Sequence, residues 1–337
     1  MTRRRLPDEA GIFVVLLVVL AALSILSPRF RTVDNLLVLL LNGSVIAFLA
    51  LGQTFVLLTA GIDLSTGANI AMSGVVVAML MRSGLHWPVA ALIAAMIGIM
   101  LGLVNASLVH YLGVPAFIAT FSTMGVATAI PLILTGANSV QVKDPGFSWI
   151  GQGAIAGIPI PVLMLIVATV AAGIFLKRTR RGVHIYAFGG NPVAARLAGV
   201  NTAATTMLVY GVSGLCGTIG GIIATSRLMV GFPATGLGNE LFFSIAAAVV
   251  GGVSLFGGVG TVQGALLGAV LIATVNNGMN ILNVSSYWQS LVIGLVILAG
   301  VSFDMQRRKR ADRAARPEPV GAKAVLEASP APEAKEA

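Results

Sequence analysis

The stretch Lys177–Asn201, KRTRRGVHIYAFGGNPVAARLAGVN, is polar, basic and interrupted by glycine and proline, and it lies inside an otherwise apolar chain. Almost everything else between Ala10 and Phe303 is apolar. Lys and Arg concentrate in those segments of membrane proteins that face the cytoplasm. The pattern predicts an all-α, polytopic bundle of transmembrane helices, with a cytoplasmic loop over residues 177–204 that is long enough to form a short helix for a partner to contact.

Composition excludes a soluble globular domain. The chain has 337 residues, of which 57% are hydrophobic and 10% charged, and its mean hydropathy is +0.94. Soluble domains carry roughly 25% charged residues, so this chain has too little charge to cover a water-facing surface. The net charge of +9 comes from the two ends and the central stretch, which indicates membrane topology rather than nucleic-acid binding. A single cysteine, Cys216, excludes an intramolecular disulfide.

Hydropathy predicts about ten spans, since a span needs roughly 20 apolar residues. With both termini in the cytoplasm, 16 of the 21 Lys and Arg residues fall on the cytoplasmic side. This divides the chain into a cytoplasmic segment 1–9, a membrane domain 10–306 and a disordered, basic, Pro- and Ala-rich tail 307–337 that begins against membrane lipid. For residues 36–82, a broken or re-entrant element remains an alternative to two separate spans. The predicted spans are 10–26, 36–60, 67–82, 88–109, 115–135, 159–176, 205–226, 241–256, 263–282 and 286–303.

Signatures of catalysis are missing from the sequence. It has no phosphate-binding loop and no G-x-S-x-G nucleophile motif. The three histidines, His86, His110 and His184, are scattered singly, so no metal-ligand spacing is present. We therefore predict no catalytic residue and no metal site.

Asp63, in Gly61–Gly67 (GIDLSTG), is the only acid between Asp34 and Asp144. In one interpretation the segment is structural: Ser65 caps the following helix and Asp63 favours its N-terminus. In the other, Asp63, Ser65 and Asn69 belong to a transport pathway, because acids within a membrane are costly and often functional. The residues alone leave both open.

A second polar group follows a glycine ridge. Gly260, Gly264 and Gly268 are spaced for close helix packing. Asn276, Asn280 and Asn283 follow at helical spacing and are expected to share one face. Such amides either join helices or line a path for a polyol, and both alternatives stay open.

The central stretch contains the signals of a short helix. Gly189 and Gly190 precede Asn191, which can cap a helix that has Pro192 in its first turn. The helix is predicted to run from Val193 to Ala198 and to stop at Gly199. An irregular cytoplasmic loop is the alternative.

Four blocks together resemble the ribose/xylose-type permease family of bacterial ABC importers, over about residues 30–305. They are GIDLSTGANIAMSG at 61–74, PAFIATFSTMGVATAI at 115–130, YAFGGNPVAARLAGV at 186–200 and GNELFFSIAAAVVGGVSLFGGVGTVQGALLGAV at 238–270. In one place the chain departs from the family, which usually has an Asp after the Glu-Leu pair. Here Glu240-Leu241 is followed by Phe242-Phe243.

The resemblance implies an inner-membrane permease subunit that imports a monosaccharide. Its implied partners are a second permease copy, identical or related, a periplasmic sugar-binding protein, and a cytoplasmic ABC ATPase that uses ATP and Mg²⁺, so this chain would bind no cofactor. The ATPase would contact the central loop, and the coupling residues implied by the resemblance are Gly189, Gly190, Asn191, Pro192, Ala195, Arg196 and Gly199.

An ion-coupled secondary transporter for a small polar solute is the main rival. Such proteins usually place ionisable residues in mid-membrane, and only Asp63 is a candidate. A membrane-embedded enzyme lacks a catalytic constellation, and a pure scaffold does not explain the central stretch. The sugar itself and the choice between homodimer and heterodimer stay open.

Overall fold

The structure, a computed structural model, describes residues 10–236 and 238–315. These form a predominantly helical fold, which confirms the predicted class. The predicted segment 1–9 and residues 316–337 of the predicted tail lie outside the described residues. The helices are α1 (Ala10–Leu26), α2 (Val33–Leu57), α3 (Ser65–Arg82), α4 (Trp87–His110), α5 (Ala116–Thr135), α6 (Pro145–Gln152), α7 (Ile160–Arg178), α8 (Arg180–Gly190), α9 (Pro192–Leu197), α10 (Thr202–Leu228), α11 (Glu240–Val250), α12 (Val262–Ile281) and α13 (Ser286–Ala315), with a 3-10 helix at Pro28–Arg31.

Six helices in the described part of the chain are long and apolar enough to cross a membrane: α2, α4, α5, α7, α10 and α12. Apolar stretches of α1, α11 and α13 are shorter, at 10–17 residues. The count of ten spans and the cytoplasmic placement of both termini therefore stay predictions. α13 continues to Ala315, past the predicted domain boundary at residue 306.

The predicted continuous span over residues 241–256 is wrong. α11 has 11 residues and ends at Val250, so at 1.5 Å per residue it is about 16 Å long, whereas a bilayer core is about 30 Å thick. The helix ends because glycines follow, and Gly252, Gly257 and Gly258 adopt positive φ angles of 88°, 81° and 73°. Hydropathy alone could not register this interruption, since the segment is apolar throughout.

α10 lies at the centre and packs against α2, α3 and α4. Its approach to α4 depends on glycine: a Cβ on Gly214 would lie 2.1 Å from the Gly98 carbonyl oxygen, and one on Gly102 would lie 2.1 Å from the Tyr210 carbonyl oxygen. This ridge was not among the predicted packing glycines. Small residues allow such close backbone approach between membrane helices.

The predicted ridge holds in part. A Cβ on Gly268 would lie 1.9 Å from the Ala247 carbonyl oxygen, and one on Gly264 would lie 2.1 Å from the Gly251 carbonyl oxygen, so both glycines let α12 pack against α11. Gly260 lies outside α12, before its N-cap Thr261, and has a φ of 141°. Its role is a turn rather than a helix contact.

Two small two-stranded antiparallel sheets, the second of them a hairpin, lie at the opposite end of α7 from the basic stretch. β1 (Val140–Gln141) pairs antiparallel with β4 (Val230–Gly231). β2 (Ala154–Ile155) pairs with β3 (Ile158–Pro159), which directly precedes α7. The segments after α5 and after α10 therefore meet on the side that the charge pattern predicts to be external.

Candidate functional site

The short helix predicted in the central stretch is present as α9. The Asn191 side-chain oxygen accepts hydrogen bonds from the Val193 and Ala194 amides at 3.1 and 3.0 Å, which confirms the predicted N-cap. At the other end Gly199 has a φ of 81° and donates to the Arg196 carbonyl, while the Val200 amide donates to the Ala195 carbonyl at 3.0 Å. These two bonds form a Schellman motif, so Gly199 is the predicted stop.

The outer face of α9 carries apolar side chains with no cover in the described structure. Leu197 is 85% exposed and Val193 is 70% exposed, four residues earlier on the same face. Arg196 and Pro192 are exposed beside them, whereas Ala195 is buried. Because the charge pattern predicts that this stretch faces the cytoplasm, its large exposed apolar groups indicate a docking surface. Sequence reasoning missed Val193 and Leu197, although their helical spacing in a polar loop was a signal for them.

Gly189 joins α8 to the rest of the chain by close packing. A Cβ on this residue would lie 1.8 Å from the Leu58 carbonyl oxygen and 2.7 Å from the Gly258 amide nitrogen. The Gly258 amide in turn donates to the Leu58 carbonyl at 2.9 Å. A Cβ on the neighbouring Gly190 would meet nothing within 4 Å. Gly189 is therefore the glycine that the packing requires.

Tyr186 makes a second contact from α8. Its hydroxyl donates to the Gly260 carbonyl at 2.9 Å. Partial burial raises the pKa of the Tyr186 hydroxyl above its usual value, so the group keeps its proton and stays a donor. α8 and α9, which we call the coupling unit, are thus tied to the loop after α2 and to the loop between α11 and α12.

Asp63 lies fully buried at the centre of a hydrogen-bond network. One carboxylate oxygen accepts from the Ser65 amide at 2.9 Å and from the Ser65 hydroxyl at 2.6 Å, and the other accepts from the Ser213 hydroxyl at 2.7 Å. The Asn105 amide donates to the Ser65 hydroxyl at 2.8 Å, and the Thr123 hydroxyl donates to Asn105. The network therefore joins the start of α3 to α4, α5 and α10.

The predicted N-cap at Ser65 is wrong. Leu64 occupies the cap position without a side-chain bond, and Ser65 is the first residue of α3. Asp63 takes the cap's place, because its carboxylate accepts the Ser65 amide. Asn69, also buried, donates to the Gly214 carbonyl at 2.7 Å and so joins α3 to α10. This geometry favours the structural interpretation of Asp63, Ser65 and Asn69.

We predict that Asp63→Ala lowers the free energy of unfolding by about 3 kcal/mol, because it removes a buried acceptor and leaves the donors of Ser65 and Ser213 unpaired. Thermal or denaturant unfolding of the purified protein measures the effect. Asp34→Ala is the control: Asp34 is exposed in the first turn of α2, and its loss should cost under about 1 kcal/mol. An Asp63→Ala protein of unchanged stability that no longer transports would support the pathway interpretation instead.

A cavity of about 560 Å³, which we call the chamber, opens among α2, α3, α10, α11, α12 and α13, and seven of its thirteen lining residues are polar. Arg227 donates to the Asn42 side-chain oxygen at 2.5 Å. One carboxylate oxygen of Glu240 is buried and has no hydrogen-bond partner within the described residues. The walls include Ile46, Ile70 and Phe243. The polar residues that line the chamber are Asn42, Arg227, Thr235, Asn239, Glu240, Asn276 and Gln289.

The asparagines of α12 divide between two roles. Asn276 lines the chamber and accepts from the Asn280 amide at 3.0 Å, while Asn280 accepts from Gln289 at 2.8 Å. Asn283 does not share their face as expected, because α12 ends at Ile281 and Asn283 has a φ of 54°. Asn277, which lies between Asn276 and Asn280 in the chain, has the second role. It is buried and exchanges two hydrogen bonds with Asn35 at 3.1 and 2.9 Å, which joins α12 to α2.

The two charged residues that line the chamber, Arg227 and Glu240, were not among the predicted pathway residues, although the sequence carried a signal for both. Glu240 is the only acid between Asp144 and Asp304, and Arg227 is the only basic residue between Arg196 and Arg307. Isolated ionisable residues in an apolar region point to function. The sequence did not indicate that the two residues line one cavity, since they lie on different helices.

Comparisons with known proteins agree with this architecture. Residues 35–301 match a family model described as a permease component of the branched-chain amino acid transport system. The chain is 40% identical over 304 residues to a ribose import permease of Escherichia coli K12, covering 89% of this chain and 94% of the relative. It is 36% identical over 299 residues to the D-allose transport system permease of the same strain, covering 88% and 91%. No solved structure matches the chain.

A third relative, a galactose/methyl galactoside import permease of Salmonella typhimurium LT2, is 35% identical over 321 residues, which cover 90% of this chain and 95% of the relative. Proteins of this family are multi-pass inner-membrane permease subunits, not enzymes, and a separate ATPase hydrolyses ATP. The family also implies a periplasmic binding protein as a partner. The secondary-transporter alternative finds no support here. The chain belongs to the family of permease components of ABC import systems, together with these ribose, allose and galactose permeases.

Proposed function

We propose that this chain is the membrane permease of an ATP-driven importer that carries a monosaccharide delivered by a periplasmic binding protein. The relatives named above are called permeases for ribose, allose and galactose. The observation that carries the sugar assignment is the chamber, because its lining combines neutral amides with one acidic and one basic side chain inside an apolar bundle.

The lining of the chamber suits hydroxyl groups. Each sugar hydroxyl can donate one hydrogen bond and accept two. Glu240 offers an acceptor, Arg227 offers donors, and Asn239 and Asn276 offer both. Such groups replace the hydrogen bonds that a sugar makes with water, so the sugar can enter an apolar bundle without a large desolvation cost. Binding need only be weak, because a strong site would hold the sugar and prevent release.

The coupling unit connects to the helices that surround the chamber. α8 touches the loop after α2 through Gly189 and the loop before α12 through Tyr186. The chamber residues Asn42, Glu240 and Asn276 belong to α2, α11 and α12. In each helix the chamber residue lies away from the end that adjoins the loop contacted by α8. A displacement of α8 and α9 therefore acts on both loops at once and can change access to the chamber.

Alternating access follows from this connection. The ATPase binds ATP and Mg²⁺, and this chain binds no cofactor of its own. ATP binding moves α9, which the ATPase contacts through Val193, Arg196 and Leu197, while Asn191 and Gly199 fix the shape of the helix. A second permease copy, identical or related, completes the pathway. Such a switch needs a partner that binds the two states differently, and the ATPase supplies that difference.

We predict that Glu240→Gln reduces uptake of the transported sugar at least about 10-fold, since it replaces a charged acceptor by an amide of similar size. ATP hydrolysis stimulated by the binding protein should persist, because α9 is untouched. Asp34→Asn, an equally conservative loss of one exposed carboxylate outside the chamber, should leave uptake within about twofold of wild type. Normal uptake in Glu240→Gln would remove the chamber from the proposed pathway.

The energy source can be tested in intact cells. Uptake should stop when ATP is depleted and should continue, for as long as ATP lasts, when a protonophore collapses the proton gradient. Uptake that follows the proton gradient and survives ATP depletion would contradict the proposed mechanism.

A further inference from the structure

A second cavity, separate from the chamber, lies between α4, α8 and α10. It is a groove of about 670 Å³. Most of its wall is apolar, and one end is polar, with Arg181, His184, Asn201 and Thr205. The apolar residues of the groove are Ile99, Leu103, Ala204, Met207, Leu208, Gly211, Val212 and Leu215.

The groove is long enough to hold an acyl chain that spans the hydrocarbon of one leaflet. Along α10 it reaches from Asn201, the N-cap, to Leu215, which is fourteen residues further. At 1.5 Å per residue this is about 21 Å. One leaflet contributes about 15 Å of hydrocarbon, half of the roughly 30 Å core. A single acyl chain can therefore lie along α10 with its polar end beside Asn201.

The polar end of the groove is cationic. Arg181 and His184 are three residues apart on one face of α8. Arg181 is exposed, and no carboxylate forms an ion pair with it among the described residues. The neighbouring titratable groups on the chain are Lys177, Arg178 and Arg180, all of them cationic. A guanidinium binds a phosphodiester in a bidentate manner, and basic pockets beside transmembrane helices recognise anionic headgroups.

We propose that this groove binds an anionic glycerophospholipid, with one acyl chain along α4 and α10 and the phosphate on Arg181 and His184. Lipid binding at this site is independent of the transported solute, since it requires only the groove and its charge. Bound lipid would fix α8 against α10 and so would contact the coupling unit from the membrane side.

Electron paramagnetic resonance of spin-labelled lipids tests the proposal with the full chain reconstituted in phosphatidylcholine vesicles. Labelled phosphatidylglycerol should show a motionally restricted fraction that associates about 5-fold more strongly than labelled phosphatidylcholine. The double variant Arg181→Gln/His184→Gln should lose that preference. Val212→Trp, which fills the groove, should reduce the restricted fraction for both lipids.

Arg178→Gln is the control, because Arg178 belongs to the same basic stretch but does not line the groove. It should keep most of the preference. Equal restriction of the two lipids by the wild-type protein would overturn the proposal, whether or not the variants fold. So would an equal loss in Arg178→Gln and the double variant, which would indicate diffuse attraction. A Val212→Trp protein with altered oligomeric state and unchanged lipid restriction would assign the groove to a second copy of the chain instead.

Discussion

Gly189→Ala is expected to abolish ATP-coupled uptake and to destabilise the protein. The added methyl group would lie 1.8 Å from the Leu58 carbonyl oxygen, which is backbone and cannot move aside by rotating a side chain. Overpacking a close contact costs about 1–3 kcal/mol, and a clash this short belongs at the upper end or above it. Relief requires α8 to move away from Leu58 and Gly258, which breaks the link between the coupling unit and the bundle. Thermal unfolding and uptake in vesicles measure the two effects.

The adjacent glycine supplies a matched control. A Cβ on Gly190 meets nothing within 4 Å, so Gly190→Ala should fold with wild-type stability and retain the packing of α8. Both substitutions add one methyl group at the end of the same helix. If Gly189→Ala and Gly190→Ala behaved alike, the proposed contact between α8 and the loop after α2 would have no role in coupling.

Leu197→Glu is expected to disconnect the ATPase while leaving the permease folded. Leu197 is 85% exposed, so its replacement removes almost no contact within the chain. A charge placed in the centre of an apolar docking surface is desolvated without a partner, which weakens binding by about 2–5 kcal/mol, or roughly 30- to 4000-fold. Arg196→Glu, which reverses the charge beside it, should act in the same direction. Co-purification of the ATPase and ATP-dependent uptake are the measurements.

Leu282→Glu is the control for this surface. Leu282 is also an exposed leucine, but it follows α12 at the end of that helix opposite the contact of Tyr186 with Gly260. The variant should bind the ATPase normally. Retention of the ATPase by Leu197→Glu, with normal uptake, would contradict the assignment of α9 as its docking helix.

The features of the fold that could be predicted from the sequence are those set by nearby residues. The cap at Asn191, Pro192 in the first turn and the stop at Gly199 act within a few residues, so the short helix was predicted almost to its ends. The class of fold followed from composition for a similar reason, since it depends on total apolar content rather than on particular contacts.

Contacts between distant residues were not predictable. Asp63 meets Ser213 across 150 residues, and Gly98 meets Gly214 across a helix pair whose register no local pattern specifies. The chamber is a similar case, because Arg227 and Glu240 are visible as isolated charges and only the packing of α10 and α11 against α2 brings them to one cavity. Asn283 illustrates the limit of a periodicity argument, which fails when the helix ends two residues too early.

ATP-driven sugar import is tested most directly by uptake into proteoliposomes that contain this chain with its ATPase, supplied with its binding protein and a panel of labelled pentoses and hexoses. One or a few of these sugars should accumulate, and only when both ATP and the binding protein are present. Flux of solute that needs neither, and that follows an ion gradient, would show that the chain is not the permease of an ATP-driven importer.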